Sequence, residues 1–312
     1  MTAPQLTTVA DMRAWSAAER AAGHRIALVP TMGALHEGHL ALVRQAATLA
    51  DRVVVSIFVN PRQFDRADDL AGYPRDLAGD VAALAGLGDA APHALYVPDV
   101  TEVYPVEPAV TVTVSGLDER LCGASRPGHF DGVVTVVTKL CNVVAPDLAV
   151  FGRKDFQQLA IIRRLAADLD LPVTIVGGPT VREADGVALS SRNRLLADEE
   201  RLLARAIPDA LRAAVRVART ERDAGRRPTA GMLRAAAAGT LTSASGVTVD
   251  YVEVLDPETL APPDDPGRGE GAGGRPERLL VAVAAYVGSV RLIDNVVAGD
   301  EDDEQRLLDA GS

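Results

Sequence analysis

The 312-residue sequence predicts an α/β fold, in which a doubly wound parallel sheet is followed by a smaller α+β C-terminal domain. Two observations predict the sheet: short, continuous apolar runs that fit strands buried on both faces, and helix-length amphipathic segments between several of them. A third observation, a change in the pattern of predicted helices and strands after Pro179, predicts the second domain. In sheets of this kind, ligands bind beyond the carboxyl ends of the strands.

The predicted strands and helices of the first domain, residues 1–180, follow from this pattern. The strands are Ile26–Val29, Val53–Val59, Ala94–Val97, Val110–Val114, Leu148–Phe151 and Val173–Val176. The helices are His39–Ala50, Arg75–Leu84, Val133–Val144 and Asp155–Asp168. Because apolar strands and amphipathic helices alternate, we expect helices on both faces of one parallel sheet.

The second domain, residues 181–299, is predicted to contain two helices and three strands. The helices are 198–220, kinked at Pro208, and 229–241; the strands are 249–256, 279–287 and 290–294. Residues 262–278 are rich in Gly, Pro and charge, which predicts a disordered surface loop. Residues 300–312 are acidic, and we expect them to form a frayed tail.

Composition excludes several classes of protein. The net charge of −11 disfavours binding to nucleic acid, although a local basic pocket is compatible with it. No run of eighteen apolar residues is present, so we expect no membrane span, and the N-terminus lacks the pattern of a signal peptide. Cys122 and Cys141 form no CxxC pair, which favours a reducing, cytoplasmic location.

The most informative stretch is IALVPTMGALHEGH, residues 26–39. An apolar strand breaks at Pro30, passes Gly33 and delivers His36 and His39 at a predicted helix start. A helix N-terminus suits an anion such as a phosphate, to which two imidazoles could donate hydrogen bonds. The same spacing also fits half of a metal site or two unrelated surface histidines, so the residues alone leave these alternatives open.

Two further polar clusters follow predicted strands. Asn60 and Gln63 carry amides that can bind a hydroxyl and a carboxylate of a small substrate, although this segment taken alone favours a plain polar turn after a strand. Gly152–Asp155 contains Lys154, one of only two lysines among 32 Lys and Arg residues. A lysine ammonium is a compact charge on a flexible stem and can follow a phosphate. Asp155 is either a helix cap or part of the cation shell of a nucleotide.

Two loops complete the set of candidates. Residues 185–193 place two hydroxyls and a guanidinium where they could close over a triphosphate, and residues 126–130 contain Arg126 and His129. The chain has no GxxxxGK[ST] phosphate loop, no GxGxxG dinucleotide motif and no HExxH zinc motif.

Together these segments resemble the pantothenate synthetase (pantoate–β-alanine ligase) family of the nucleotidyltransferase superfamily, whose HxGH signature stands here as His36-Glu-Gly-His39. The matching stretches are PTMGALHEGH, IFVNPRQF, YPRD, RPGHFDGVVTVVTKL, FGRKDFQQL and PTVREADGVALSSRN, with DYVEV and RLIDN in the second domain. The resemblance implies a Rossmann-like sheet of the HIGH type, with the second domain as a lid.

The resemblance also implies a reaction and its residues. Pantoate would attack the α-phosphate of ATP to give pantoyl adenylate and pyrophosphate, and β-alanine would then displace AMP. His39, His36 and Lys154 would be catalytic, with His39 as the better proton donor. Residues implied to bind ATP are Met32, Gly33, Ala34, Leu35, His36, Glu37, Gly38, His39, Gly152, Arg153, Lys154, Asp155, Val181, Leu189, Ser190, Ser191 and Arg192. Gln63, Gln158 and Asn60 would bind pantoate, with Gln63 also near β-alanine.

The implied partners are small molecules: pantoate, β-alanine and ATP, the last accompanied by Mg²⁺, with no resident metal. A homodimer is also implied, to which the apolar Val110–Val114 region could contribute. The sequence departs from the family pattern at Asp65-Arg66, at Gly177-Gly178 and in the 262–278 loop, which puts substrate affinity and the details of the second domain in question. Two alternatives stay open: another HxGH adenylyltransferase, and a non-enzymatic nucleotide-binding protein.

Overall fold

A computed structural model of the chain describes residues 3–263 and 277–311. They form two compact units. The N-terminal unit comprises Met1–Arg153 and Gln157–Gly178, and the C-terminal unit comprises Lys154–Phe156 and Pro179–Ser312. Within the described ranges, no helix combines the length and the apolar composition needed to cross a membrane.

The N-terminal unit is built on six strands and their connecting helices. The strands are β1 Gln5–Leu6, β2 Ile26–Thr31, β3 Arg52–Ile57, β4 Ala94–Tyr96, β5 Leu148–Gly152 and β6 Thr174–Gly178. The helices are α1 Val9–Ala21, α2 Glu37–Leu49, α3 Ala67–Ala71, α4 Leu77–Ala85, α5 Val100–Val103, α6 Leu121–Ser125, α7 His129–Val144 and α8 Phe156–Asp168, with 3₁₀ turns at Pro61–Gln63, Gly88–Ala90 and Arg153–Asp155.

All six strands are parallel and lie in the order β1-β4-β3-β2-β5-β6. Alternate residues of β2 enter two separate cores, Ile26 and Leu28 on one face and Ala27 and Val29 on the other. The predicted doubly wound sheet is therefore confirmed. From β2 the chain proceeds outward through β3 and β4 and then returns to β5 on the other side of β2, so the switch point lies between β2 and β5.

The prediction of a strand at Val110–Val114 is wrong. This segment runs irregularly along α7, whose side chains replace a neighbouring strand as hydrogen-bond partners. The Val112 N–H donates to Thr135 Oγ1 at 3.1 Å, and the Thr135 hydroxyl donates to the Val112 carbonyl at 3.2 Å. The Val114 N–H donates to Asp131 at 2.8 Å. An alternating apolar pattern predicts extended backbone but does not identify its partner.

The C-terminal unit packs helices against an antiparallel sheet of order β7-β8-β9. The strands are β7 Val247–Leu255, β8 Leu279–Val287 and β9 Val290–Ala298, and the helices are α9 Asp198–Leu203, α10 Ala206–Asp223, α11 Ala230–Ser243 and α12 Glu301–Asp309, with a 3₁₀ segment at Ser191–Leu195. Alternate residues of β8, such as Val281 and Val283, share one core with Leu211 of α10 and Leu233 of α11. This unit confirms the predicted α+β architecture.

The prediction of one long helix kinked at Pro208 is wrong. The helical stretch is broken between Leu203 and Ala206, and Pro208 lies in the first turn of α10. Proline is tolerated there because the first N–H groups of a helix have no intrahelical acceptor. Of the predicted loop at 262–278, residues 264–276 lie outside the described part of the chain.

The prediction of a frayed acidic tail is also wrong, because residues 301–309 form α12. Asp300 caps this helix by accepting from the Asp303 N–H, and acidic side chains in the first turn suit the positive end of the helix dipole. The Glu304 side chain is only 1% exposed. Its carboxylate accepts from Arg219 at 2.8 Å, from Arg222 at 2.6 Å and from the Gly299 N–H at 2.8 Å.

Replacing Glu304 by alanine should lower the free energy of unfolding by roughly 3 kcal/mol, because it leaves two arginines and a backbone N–H without their shared acceptor. Urea denaturation measures the change. Glu301→Ala is the matched control, since Glu301 lies in the same first turn but is exposed. Equal stabilities of the two variants would contradict a packed α12.

Candidate active site

The turn after β2 adopts a left-handed backbone that sets the start of α2. Gly33 has φ +80° and Ala34 has φ +53°. A Cβ atom at Gly33 would lie 2.9 Å from Asp80 Oδ2, so both the backbone angle and the space demand glycine. The Gly33 N–H donates to Thr31 Oγ1 at 3.3 Å, and the Thr31 hydroxyl donates to the Ser56 carbonyl at 2.8 Å.

The carboxylate of Asp80, in α4, accepts two hydrogen bonds from the backbone of this turn. Its side chain is buried, with the residue 5% exposed. The Ala34 N–H donates to Oδ2 at 3.0 Å, and the Leu35 N–H donates to Oδ1 at 2.7 Å. Asp80 is not among the predicted site residues; its signal in the sequence is a carboxylate four residues before Leu84, on the buried face of a short apolar helix.

The two histidines cap α2 reciprocally. His36 is the N-cap residue, and its Nδ1 accepts from the Gly38 N–H at 3.2 Å. The Nδ1 atom of His39 accepts from the His36 N–H at 3.3 Å. An imidazole that accepts at Nδ1 carries its proton at Nε2 in the neutral form, so both rings present an Nε2–H donor. The ring centroids lie 4.0 Å apart, and α2 begins two residues before the predicted start.

Asn60 and Gln63 form the second predicted cluster, and the structure brings it beside the turn after β2. Gln63 Nε2 lies 3.2 Å from the Met32 sulfur. Asn60 Nδ2 donates to Gln63 Oε1 at 3.1 Å, and the Tyr104 hydroxyl donates to Asn60 Oδ1 at 3.0 Å. Burial raises the pKa of Tyr104 to about 12, so its hydroxyl stays a donor at neutral pH. The chain of bonds fixes which way the Gln63 amide faces.

The backbone of Gln63 is held by the RPGH segment. Its carbonyl accepts from His129 Nδ1 at 2.7 Å and from Arg126 at 3.1 Å. Gly132 permits this close approach, since a Cβ there would lie 2.1 Å from the Arg62 carbonyl. Arg126 also pairs with Asp65 at 3.0 Å, so one departure from the family pattern is engaged in the same network.

The carboxyl end of β5 lies beside β2 at the switch point and carries Gly152, followed by Arg153. The Gly177-Gly178 departure on β6 has a packing reason. A Cβ at Gly177 would lie 2.9 Å from Leu159, and one at Gly178 would lie 2.2 Å from Leu42. Glycine therefore lets helices approach β6 closely.

The two glutamines at the start of α8 differ in environment. Gln157 is buried and donates to the Leu117 and Arg120 carbonyls, both at 2.8 Å, while its Oε1 accepts from the Gly123 N–H at 3.3 Å. Its role is to hold residues 117–123. Gln158 is half-buried, and its role in binding pantoate stays a prediction.

The remaining predicted residues belong to the C-terminal unit. Lys154 has a side chain that is 18% exposed, and its ammonium lies 3.8 Å from an Asp155 carboxylate oxygen. The 181–193 loop, which carries Val181, Leu189, Ser190, Ser191 and Arg192, is closed at its base by a Leu189 N–H bond to the Val181 carbonyl at 2.9 Å. Ser190 Oγ accepts from the Arg192 N–H at 3.3 Å.

Thus the structure brings His36, His39, Gln63 and Asn60 together in one unit and builds Lys154 and the 181–193 loop in the other. Their convergence on one ligand stays a prediction. No group of three or more His, Cys, Asp or Glu residues that could hold a metal occurs within residues 3–263 and 277–311.

Relatives with known names match nearly the whole chain. A relative in Chelativorans sp. (strain BNC1), named pantothenate synthetase, is 51% identical over 296 residues, which cover 95% of this chain and 98% of the relative. A pantothenate synthetase of Myxococcus xanthus (strain DK1622) is 48% identical over 303 residues, covering 97% of this chain and 98% of the relative.

Two solved structures also match nearly the whole chain. The pantothenate synthetase of Thermus thermophilus is 41% identical, with a TM-score of 0.81 over 94% of this chain and 98% of that one. The Francisella tularensis pantoate-beta-alanine ligase, complexed with beta-gamma ATP and beta-alanine, is 29% identical, with a TM-score of 0.68 over 95% of this chain and 98% of that one. Because the family model described as pantoate-beta-alanine ligase matches residues 5–297, the chain belongs to the pantoate-beta-alanine ligase family.

Proposed function

We propose that the pair of histidines at the start of α2 activates ATP toward the pantoate carboxylate, in an enzyme that joins pantoate to β-alanine. The observation that carries this proposal is the pair of Nε2–H donors at the N-terminus of α2, which follows the strand β2 at the sheet's switch point. The Gln63 amide contacts Met32 in the turn that precedes the two histidines. Membership of the ligase family supports pantothenate as the product of this ATP-dependent reaction.

In the first step, a pantoate carboxylate oxygen attacks the α-phosphorus of ATP, and the bond from that phosphorus to the bridging oxygen of pyrophosphate breaks. Negative charge grows on the phosphoryl oxygens and on the leaving pyrophosphate. His36 and His39 stabilise this charge through their Nε2–H groups, with His39 the better proton donor, and the α2 dipole adds to the effect. The products are pantoyl adenylate and pyrophosphate.

Lys154 and the 181–193 loop are proposed to hold the phosphates. Lys154 has a compact charge on a flexible stem, and the hydroxyls of Ser190 and Ser191 with the guanidinium of Arg192 offer donors to phosphate oxygens. Met32, Gly152 and Val181 would contact the nucleotide through backbone or wall atoms. On this proposal residues 1–180 bind the nucleotide and pantoate, and residues 181–299 act as the lid.

Gln63, Gln158 and Asn60 are proposed to orient pantoate, and Gln63 also β-alanine. The geometry of Gln63 supports this, because Asn60 occupies its Oε1 and leaves the Nε2 side turned toward Met32 in the turn after β2. In the second step, the β-alanine nitrogen attacks the acyl carbon, the bond to the phosphate oxygen of AMP breaks, and the nitrogen loses a proton. Positioning supplies most of the acceleration.

We propose that Mg²⁺ enters with ATP as part of the substrate, since Mg²⁺ is commonly bound by substrate phosphates with one or two protein carboxylates. Asp155, beside Lys154, is a carboxylate available for this. A cytoplasmic location is proposed from the low cysteine content, and a homodimer from the exposure of Val106 and Val110, which are 75% and 86% exposed.

A coupled assay of AMP formation tests the function. In steady-state turnover, AMP and pyrophosphate should form only when ATP, pantoate and β-alanine are all present. Isotope exchange between pyrophosphate and ATP should need pantoate but not β-alanine. ATP binding without pyrophosphate release would reject the ligase function. AMP formation independent of pantoate would indicate a different adenylyltransferase.

Substituting His39 or Lys154 by alanine should slow adenylation by about 100-fold or more, the scale for losing one preorganised donor. Pyrophosphate release in a single turnover measures this step. Arg164→Ala is the control, because this exposed cation pairs with Asp168 one turn along α8 and should leave the rate unchanged. Near-normal rates in either variant would reject its assigned role.

Gln63→Ala should raise the KM for pantoate by roughly 10-fold or more, since a hydrogen bond to a charged group contributes about 1.5–3 kcal/mol. The KM for ATP should stay unchanged, because the proposal assigns the amide to the acid and not to the phosphates. Steady-state kinetics with each substrate varied separately distinguish the two. An equal rise in both KM values would point to a general disturbance of the fold.

Asp80→Asn should reduce adenylation by about 10-fold, because an amide offers one acceptor oxygen where the carboxylate offers two to the Ala34 and Leu35 N–H groups. Asp76→Ala is the control, because Asp76 caps the same helix α4 by accepting from the Gly79 N–H. Both variants should lose stability, but only Asp80→Asn should lose rate per folded molecule. Equal rates would show that the turn does not need Asp80.

A further inference from the structure

We propose that Asp294 and Asn295 of β9 form a positioning pair, which fixes Lys154 and the 181–193 loop for phosphate binding. The RLIDN segment that contains them has no role in the reaction described above. The inference rests on the proposed function of Lys154 and deepens it, because it names the residues through which the fold holds that ammonium in place.

Asn295 acts on Lys154. The Asn295 side chain is buried, and its Nδ2 donates to the Lys154 carbonyl at 2.8 Å. Lys154 lies in the 3₁₀ turn Arg153–Asp155 between β5 and α8. A hydrogen bond to the carbonyl sets the backbone of this turn, from which the long lysine side chain extends. The bond acts on the Lys154 backbone and so limits the positions that the ammonium can reach.

Asp294 acts on the loop. Its carboxylate accepts two hydrogen bonds from the Arg182 guanidinium, at 2.5 and 3.1 Å. The side chains of both residues are buried, with Asp294 1% and Arg182 6% exposed. Arg182 also donates to the Gly186 carbonyl at 3.1 Å and forms a β-bridge with Ala188. The Asp294 carboxylate thus fixes the base of the loop, whose bridged residue Ala188 lies two residues before Ser190.

The strand geometry explains how adjacent residues reach two different segments. Successive side chains of a strand point to opposite faces of the sheet. Asp294 lies on the face of Leu292 and Val296, which pack in the core with α10 and α11, and Asn295 lies on the other face. The Asn295 N–H also donates to Asp294 Oδ1 at 2.8 Å, so the two residues are linked. One rigid strand thereby holds both groups.

The residues that follow the pair along β9, Val296, Val297 and Ala298, are apolar. A bidentate ion pair and a buried amide are unusual in such a strand if their only role is packing. Buried polar groups need partners, and an apolar pair would pack at lower cost. The polar pair is therefore best explained by what it orients. A displacement of a catalytic group by about 1 Å can cost up to 100-fold in rate, so loss of this support should be visible in kinetics.

A double-mutant cycle on the full chain tests the inference. Asn295→Ala should lower the single-turnover rate of pyrophosphate release by about 10-fold and raise the KM for ATP, with the KM for pantoate unchanged. In the Lys154→Ala background, the same substitution should have less than about a 2-fold effect, because the group that it positions is gone. A merely structural role would lower stability without this dependence on Lys154.

Asp294→Asn tests the second half, with Asp250→Asn as the matched control. Asp250 of β7 pairs with Arg291 of the same strand β9 at 2.7 Å, and the chemical change is identical. Only Asp294→Asn should raise the KM for ATP, by about 5-fold or more. Rates are expressed per folded molecule from circular dichroism, and Asn295→Ser replaces Asn295→Ala if the latter does not fold.

The outcomes separate the two proposals. If Lys154→Ala keeps a near-normal rate, the proposed role of Lys154 fails, whatever Asn295 does. If Lys154→Ala is slow and the Asn295 effect is undiminished in its background, the phosphate role stands and the positioning role is overturned. An Asp294→Asn variant that behaves like Asp250→Asn overturns the role of Asp294.

Discussion

The two hydrogen bonds from the Ala34 and Leu35 N–H groups to the buried carboxylate of Asp80 are the constraint on which the candidate site depends. They hold a left-handed turn that an isolated chain would rarely adopt at Ala34. Because the turn is held, His36 becomes the N-cap of α2 and its ring accepts from the helix backbone. The tautomer of both histidines, and so the direction of their donors, follows from backbone geometry.

Buried polar groups also hold the other candidate site residues. Gln63 is held at its amide by Asn60 and at its carbonyl by His129, and Lys154 is held at its carbonyl by Asn295. In each case a buried polar group bonds to the backbone or to the far side of the functional residue. These bonds fix the backbone or one side of each residue, and preorganised electrostatic catalysis requires support of this kind.

Much of the sheet was predictable because its strands are local patterns. The β2, β3 and β5 segments are continuous apolar runs, and their existence and parallel arrangement were predicted from the sequence to within two residues at each end. The errors occurred where a pattern is ambiguous about its partner. Val110–Val114 bonds to α7, and Pro208 lies in the first turn of α10 and does not bend a longer helix. The acidic residues after Asp300 include Glu304, which pairs with arginines far away in sequence.

The sequence by itself determined the central strands β2, β3 and β5, the resemblance to a ligase family and the identity of the paired histidines, because these depend on residues close together along the chain. Only the tertiary structure decided which buried side chains orient them. Asp80 lies 45 residues from Leu35, and Asn295 lies 141 residues from Lys154. Such partners carry no local signal, since a carboxylate or an amide acquires its role from the backbone groups that folding places beside it.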